Sequence, residues 1–479
     1  MANAPRLADV IRFVVSEVDR LRELQRQDWK SAAGQMEMSS GMPSDDAEFP
    51  LRAARYYRCG KVAERKLFEC VHERVQKDRE LVGRISPETV FHALQVEIAA
   101  NCVEQRRVIT PQLATELATR AQQKALAKAV DRTYFFPVFA VRTADRDEYS
   151  IGGASFSRTK SFFERHKEEW DRSVSDELAG LGEGYDPASA KKNIERLHTM
   201  AEEYYRGFPA IAAVRIAGAE PKLGQIAAKA ILESSFNVLR IFVSSNRYSF
   251  IGLAEESLIP SGRSWIELQA NGGFLAWHSG RQGEPSAPED SIARMRERTP
   301  SCSFIESIIE KQRTWKRLSA LEARLLNGLS WYGNGWKEQV PVAKLVKFAV
   351  ALETLIMTGS KEAITETLAE RIALLCGADT QEREQLYAEA RRVYGARSKA
   401  VHGGSESDSS ELTEVNTIAE KLCVFALISC ASLFPAITGV KNENDALTEF
   451  FKVSKLGGIE EAAARIGAVI RPNPGASES

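Results

Sequence analysis

The feature that most constrains this chain is a series of apolar residues at helical spacing through its C-terminal third. Leu318, Leu321, Leu325 and Leu329 share one face, Leu345, Ala349, Leu352 and Ile356 a second, and Ile364, Leu368, Ile372 and Leu375 a third. Stripes of this kind are buried when helices pack on helices, so the pattern predicts a helical bundle that begins near Lys311 and continues to about Leu447. The third stripe stops at Gly377, placed as the glycine that follows a helix C-terminus. Asp379 and Glu382 are spaced as a capping box for a fourth helix, which runs to about Val401 and stops at Gly403 and Gly404. A polar loop, Ser405 to Ser410, leads to a fifth helix, Leu412 to Phe434. Its second half is apolar almost all round, the mark of a bundle centre or of a seam with a second copy. The stretch from Leu422 to Phe434 falls short of the roughly 20 residues that span a bilayer.

The preceding residues divide by pattern. Leu7, Val10, Ile11, Val14 and Val18 make one helical stripe, and Thr110 followed by Pro111 reads as an N-cap with proline at the first helical position. Between them lies a Ser-, Gly-, Met- and Pro-rich break, Gly34 to Phe49, so residues 1–131 are expected to form a helical N-terminal domain. From Thr133 the pattern changes. The run Thr133 to Arg142, polar Ala144 to Asp147, and Tyr149 to Phe156 read as a hairpin-like pair of strands. Further strands are expected at Ala212 to Ile216, Ser249 to Leu253, Trp265 to Ala270 and Phe274 to Trp277, the last two joined by the turn Asn271-Gly272-Gly273. Helices interleave them at Ser161 to Ser173, Ala188 to Arg206 and Gln225 to Val243, which makes 132–290 an α+β middle domain of sensory or regulatory type. A Gly- and Pro-rich connector, Ser279 to Pro288, and a polar helix, Ser291 to Arg298, precede the bundle at 311–448; 449–479 is a C-terminal helix and a frayed tail. The fold class expected is mainly α with an α+β middle domain and a C-terminal helical bundle.

Composition excludes more than it assigns. Lys and Arg number 64 against 65 Asp and Glu, so no global basic field exists and any nucleic-acid contact must be a local patch. Seven cysteines without a C-x-x-C pair are expected to be reduced thiols of a cytoplasmic protein, and Met1 to Arg20 lacks the apolar core of a signal peptide. His72, His92, His166, His198, His278 and His402 are scattered, none at i,i+4 from another, so no metal site is expected. The sequence contains no G-x-x-x-x-G-K-[ST] loop, G-x-S-x-G elbow or G-x-G-x-x-G turn.

What remains is a constellation at the end of the fourth helix: Arg397, Ser398, Lys399, Ala400, Val401, His402, Gly403 and Gly404. Leu386, Ala390, Val393 and Arg397 fall at i, i+4, i+7 and i+11, which directs the guanidinium toward the core, where a charge must be paired or used. Glu353, in the otherwise apolar Ala349 to Ile356, is the candidate partner in a buried ion pair. His402 lies at the negative end of the helix dipole, which favours its imidazolium, and the two glycines admit another backbone. It is a reasonable general acid or base.

An arginine and a histidine separated by four residues at a helix end match the R-x(4-6)-H pattern of HEPN domains. Ala351-Leu352-Glu353, the run Leu368 to Leu375 with Glu370-Arg371-Ile372-Ala373, Tyr394, Arg397-Ser398 and Val401-His402-Gly403-Gly404 resemble the Apea-like HEPN family over about Lys311 to Pro435. The resemblance implies a cofactor-independent endoribonuclease acting as a homodimer through the bundle, of the toxin-like or anti-phage defence kind. Its substrate would be RNA, tRNA among the candidates, and a phage or cellular trigger would act through the N-terminal regions. It implies that Arg397 stabilises charge on the scissile phosphate, that His402 moves the proton, that Glu353 orients Arg397, and that Ser398 or Lys399 contacts a phosphate. Ser398 stands where active HEPN domains often carry Asn, Asp or His, which leaves open a catalytically silent dimerisation or binding scaffold in which Arg397 and His402 maintain structure. The basic runs Arg313 to Arg317 and Arg391-Arg392 are either an RNA track or solvated helix faces, and Tyr134, Phe135, Phe136, Trp265 and Trp277 either a stacking surface or strand core.

Overall fold

A computed structural model describes residues 4–32, 46–49, 57–140, 142–143, 148–179, 186–242, 251–253, 263–268, 274–279, 286–287, 301–359, 364–401, 409–458 and 461–462. The polar helix expected at Ser291 to Arg298, the turn Asn271 to Gly273, and His402 to Gly404 lie outside the described residues. The chain divides into two compact units, Met1–Arg132 with Ile216–Ala227 and Thr133–Arg215 with Ala228–Ser479. Most described residues are helical, with a small sheet in the middle of the chain.

Among the described residues the first unit is built mainly on α1 (Ala4–Ala32), α2 (Lys61–Lys77), α3 (Pro87–Ile98) with a π-helical turn at Ala99–Glu104, and α4 (Pro111–Leu126). Leu7, Ile11, Val14 and Val18 are buried with Leu67, Leu94 and Leu117 in one core. The expected cap forms, since Thr110 Oγ1 accepts from the Leu113 amide at 3.1 Å. The unit is not wholly helical: β1 (Asp46–Phe49) pairs antiparallel with β2 (Tyr57–Gly60), and Cys59 is buried. Four-residue strands are too short for alternation to show in the sequence.

In the second unit a sheet of order β5-β6-β7-β3-β8 contains β3 (Val130–Phe139), β5 (Glu148–Ile151), β6 (Ala154–Arg158), β7 (Ala210–Ala219) and β8 (Gly252–Leu253), while β4 (Arg142–Thr143) stands apart. The expected hairpin is corrected here. The run Tyr149 to Phe156 is itself the hairpin, β5 against β6, because Gly152 and Gly153 take φ of +60° and +86° and turn the chain between them. Strand β3 lies instead between β7 and β8. The helix expected at Ser161 to Ser173 is broken at His166 into α5 (Thr159–Arg165) and α6 (Lys167–Ala179); α7 (Pro187–Arg206) and α8 (Pro221–Ile241) follow the sequence reading closely. A two-stranded sheet of β9 (Arg263–Leu268) and β10 (Phe274–Ser279) sets Trp265 opposite Trp277, and β11 (Ser286–Ala287) pairs parallel with β4. Phe136 is buried and serves the sheet's own packing, whereas Phe135 is exposed with its ring against Phe162. Arg240 on α8 is wholly buried and donates to Glu233 at 2.6 Å and to Asn237 and the Ile251 carbonyl.

The bundle consists of α9 (Ser301–Arg313), α10 (Ala320–Lys337), α11 (Pro341–Ile356), α12 (Ile364–Cys376), α13 (Thr380–Val401), α14 (Ser409–Ile437) and α15 (Glu443–Gly457). It gains a helix ahead of Lys311, whose Ile305, Ile308 and Ile309 are buried. Leu321, Leu325, Leu329, Leu345, Ala349, Leu352, Leu368 and Ile372 are buried as the stripes require. Leu318 precedes the N-cap Ser319, and Ile364 is exposed. Helix α14 packs on α9 to α13 and on α15 and is the bundle centre. Its Ser410–Ile437 stretch is long and apolar enough to cross a membrane by length and composition, and of its most apolar 18-residue window, at mean hydropathy 1.7, half is buried. Gly377 follows α12 as expected, yet it does not adopt a left-handed φ; a Cβ there would come within 2.6 Å of Arg383, so the glycine makes room for a side chain.

Helices α10 and α11 approach closely at Gly328, where a Cβ would lie 2.5 Å from two carbons of the buried Leu355. Gly328→Ala is expected to destabilise the protein by about 1–3 kcal/mol through overpacking. Gly395→Ala on α13, where a Cβ meets nothing within 4 Å, should stabilise it by about 0.5–1 kcal/mol through helix propensity. Denaturant midpoints of the two variants check both signs.

Candidate functional site

Helix α13 is started by Asp379, whose carboxylate accepts from the Glu382 amide at 2.8 Å, while Glu382 accepts from Ala378 at 2.9 Å, one residue ahead of the standard capping box. From this start Leu386, Ala390 and Val393 are buried in register, and the face reaches the bundle's rim at Arg397. Buried Tyr394, one turn earlier, donates to the Ala349 carbonyl of α11 at 3.0 Å and fixes the two helices at that level.

Arg397 lies over Glu353. The nearest guanidinium nitrogen is 3.9 Å from Oε1, and the side chains are 30% and 26% exposed. The expectation of a buried pair is corrected on both counts: the stripe ends where the bundle ends, so water reaches the pair, and the separation is too long for a hydrogen bond. Arg397 Nε and Glu353 Oε1 are buried atoms without a hydrogen-bond partner. A half-exposed pair at this distance contributes about 0–1 kcal/mol, so the arrangement orients a cation without consuming its donors. Burial, then the adjacent Glu353 carboxylate, push the Tyr394 phenol far above its ordinary range, with Arg397 opposing.

Ser398 and Lys399 are exposed on the turn beyond Arg397. His402 immediately follows the last residue of α13 in sequence and lies outside the described residues. Arg391 is paired with Glu366 at 3.1 Å, and Arg392 forms a bidentate pair with Glu414 at 2.6 Å. In the other basic run Arg313 binds Glu310 and the Arg215 carbonyl, Trp315 takes a φ of +58°, and Lys316 and Arg317 are exposed. Among the described residues no cluster of three His, Cys, Asp or Glu side chains has the arrangement of a metal site.

Two arginines near Glu353 escaped the sequence reading of roles. Arg324 of α10 donates to the carbonyls of Thr354 at 2.7 Å and Met357 at 2.6 Å, and Arg371 of α12 donates to Ile356 at 3.1 Å. The signal for Arg371 was present: it stands at i+3 from Leu368 and next to Ile372, on the buried face, the same anomaly that singled out Arg397. No protein-family model, curated protein or solved structure matches this chain.

The phenol of Tyr394 links the site to pH. Its folded value is raised, so an unfolded chain ionises the residue from about pH 10 while the folded one keeps the proton, and stability is lost as pH rises above about 10. In Tyr394→Phe the alkaline decline should be shallower, and stability at neutral pH lower by about 0.5–1.5 kcal/mol for the lost hydrogen bond. Unfolding free energies measured between neutral pH and pH 11 test both.

Proposed function

We propose that the protein is a metal-independent endoribonuclease of the HEPN type, with Arg397 and His402 as its catalytic residues. The observation that carries the reading is Arg397 itself, a cation at the rim of α13 that is 30% exposed and is oriented by a carboxylate 3.9 Å away, beyond hydrogen-bond distance. Such a group can take a phosphate oxygen without first losing a strong partner. In the reaction His402 accepts the proton of the RNA 2′-OH, the 2′-oxygen attacks the adjacent phosphorus, and Arg397 stabilises the charge that develops on the phosphoryl oxygens. The bond to the 5′-oxygen breaks as an acid returns a proton to it, leaving a 2′,3′-cyclic phosphate and a 5′-OH. Two copies related through the bundle would bring two Arg and His pairs to one cleft. Ser398 and Lys399, exposed beside Arg397, are placed in sequence to follow the RNA backbone.

One observation favours the alternative of a silent dimerisation or binding scaffold: Arg391 and Arg392 are each held by a carboxylate, which reduces the free positive charge near α13. Purified protein incubated with tRNA and with unstructured RNA in EDTA separates the readings. Cleavage that leaves cyclic phosphate ends, and that falls by about 100-fold or more in Arg397→Ala and in His402→Ala with melting temperatures unchanged, supports the nuclease. Absence of cleavage by the wild-type chain, both alone and in phage-infected lysate, supports the scaffold.

A further inference from the structure

Helix α11 ends in a partly buried turn, and its end is closed by side chains from other helices. The Met357 amide donates to Glu353 O at 3.0 Å, the final bond of the helical ladder, which leaves the carbonyls of residues 354 to 357 without intrahelical donors. One terminal guanidinium nitrogen of Arg324 donates to Thr354 and Met357 together, and the second terminal nitrogen donates to Asn444 Oδ1 of α15 at 3.1 Å. Arg371, only 7% exposed, takes the Ile356 carbonyl and lies over the Phe451 ring at 5.1 Å. Both arginines thus place positive charge at the negative end of the α11 dipole. They also hold the last turn of the helix, on which Glu353 stands.

We infer that Arg324 and Arg371 are positioning residues, which clamp the last turn of α11 so that Glu353 orients Arg397 from 3.9 Å without closing on it. This rests on the proposed role of Arg397 in the site. With the clamp loosened, the Glu353 carboxylate is free to move the remaining distance into a charge-assisted hydrogen bond with Arg397, and the donors meant for phosphate are occupied. Burial, and the like charge of Arg371, lower the Arg324 pKa, and the three oxygens it contacts hold its guanidinium in place.

The test is a double-variant cycle in the full-length protein. Arg324→Lys and Arg371→Lys, which keep the charge but lose the forked geometry, are each made with Glu353 and with Glu353→Gln. The readout is the rate at which phenylglyoxal labels Arg397, followed by mass spectrometry of its peptide and independent of any ribonuclease activity. Labelling of Arg397 is expected to slow by about threefold or more in each lysine variant when Glu353 is present, and to be unchanged by the same substitution in the Glu353→Gln background. Unchanged labelling with Glu353 present, or equal slowing in both backgrounds, overturns the inference. Where wild type cleaves RNA, the lysine variants should lower kcat more than they raise KM, with the loss relieved by Glu353→Gln to the level of that single variant. Where wild type cleaves nothing, the nuclease reading fails while labelling still decides the clamp. Should Arg324→Lys not fold, Arg371→Lys alone carries the test.

Discussion

A helix whose end is partly buried must find donors for the carbonyls it hides from water, because an unpaired buried backbone group costs as much as a lost hydrogen bond. For α11 those donors come from α10 and α12, and one of them also reaches α15. Apolar stripes decide which helix faces meet, but burial is non-directional and leaves neighbouring helices free to slide. The directional contacts at the end of α11, together with Tyr394 on the Ala349 carbonyl, set the level at which α13 crosses α11. The relation of Glu353 to Arg397 follows from that level.

Charge in this protein is arranged locally. A chain with 64 basic and 65 acidic residues has no net field to steer a polyanion, and many of its exposed cations are held by neighbouring carboxylates, Arg391 and Arg392 among them. Arg397 differs in being oriented at long range and partly exposed. Arg240 represents the opposite use of the same side chain: completely buried, with both terminal nitrogens donating to Glu233, Asn237 and the Ile251 carbonyl, it ties α8 to the segment before β8.

Much of the helical architecture was legible because helical periodicity is carried by neighbours along the chain. Ile11, Val14, Leu325, Leu352 and Leu368 are buried where their spacing required, and the Thr110 cap formed as its chemistry dictates. The sheet was less legible. The β1 and β2 ribbon has no recognisable alternation, and Tyr149 to Phe156 reads as one strand unless Gly152 and Gly153 are given weight as a turn. In the site, Glu353 and Arg397 could be paired from two anomalies on two apolar faces, whereas Arg371, an equal anomaly, donates to a backbone carbonyl, an acceptor that every residue carries and no sequence pattern marks. Tyr394 likewise carried no visible role, since its bond is to a backbone carbonyl 45 residues away.

The amino-acid sequence by itself determined that this chain forms helices with defined buried faces, and that a cation stands at the end of one of them, since propensity, capping and periodicity act within a few residues. Only the tertiary structure decided that β3 lies between β7 and β8, that α14 is the centre of the bundle, that Arg324 and Arg371 close α11, and that Arg397 reaches the rim where its pair with Glu353 is half-exposed. These outcomes depend on distances between segments remote in sequence, such as Arg324 and Thr354, 30 residues apart. Such distances are set jointly by packing and by the requirement that every buried carbonyl find a donor, conditions that no local stretch of residues contains.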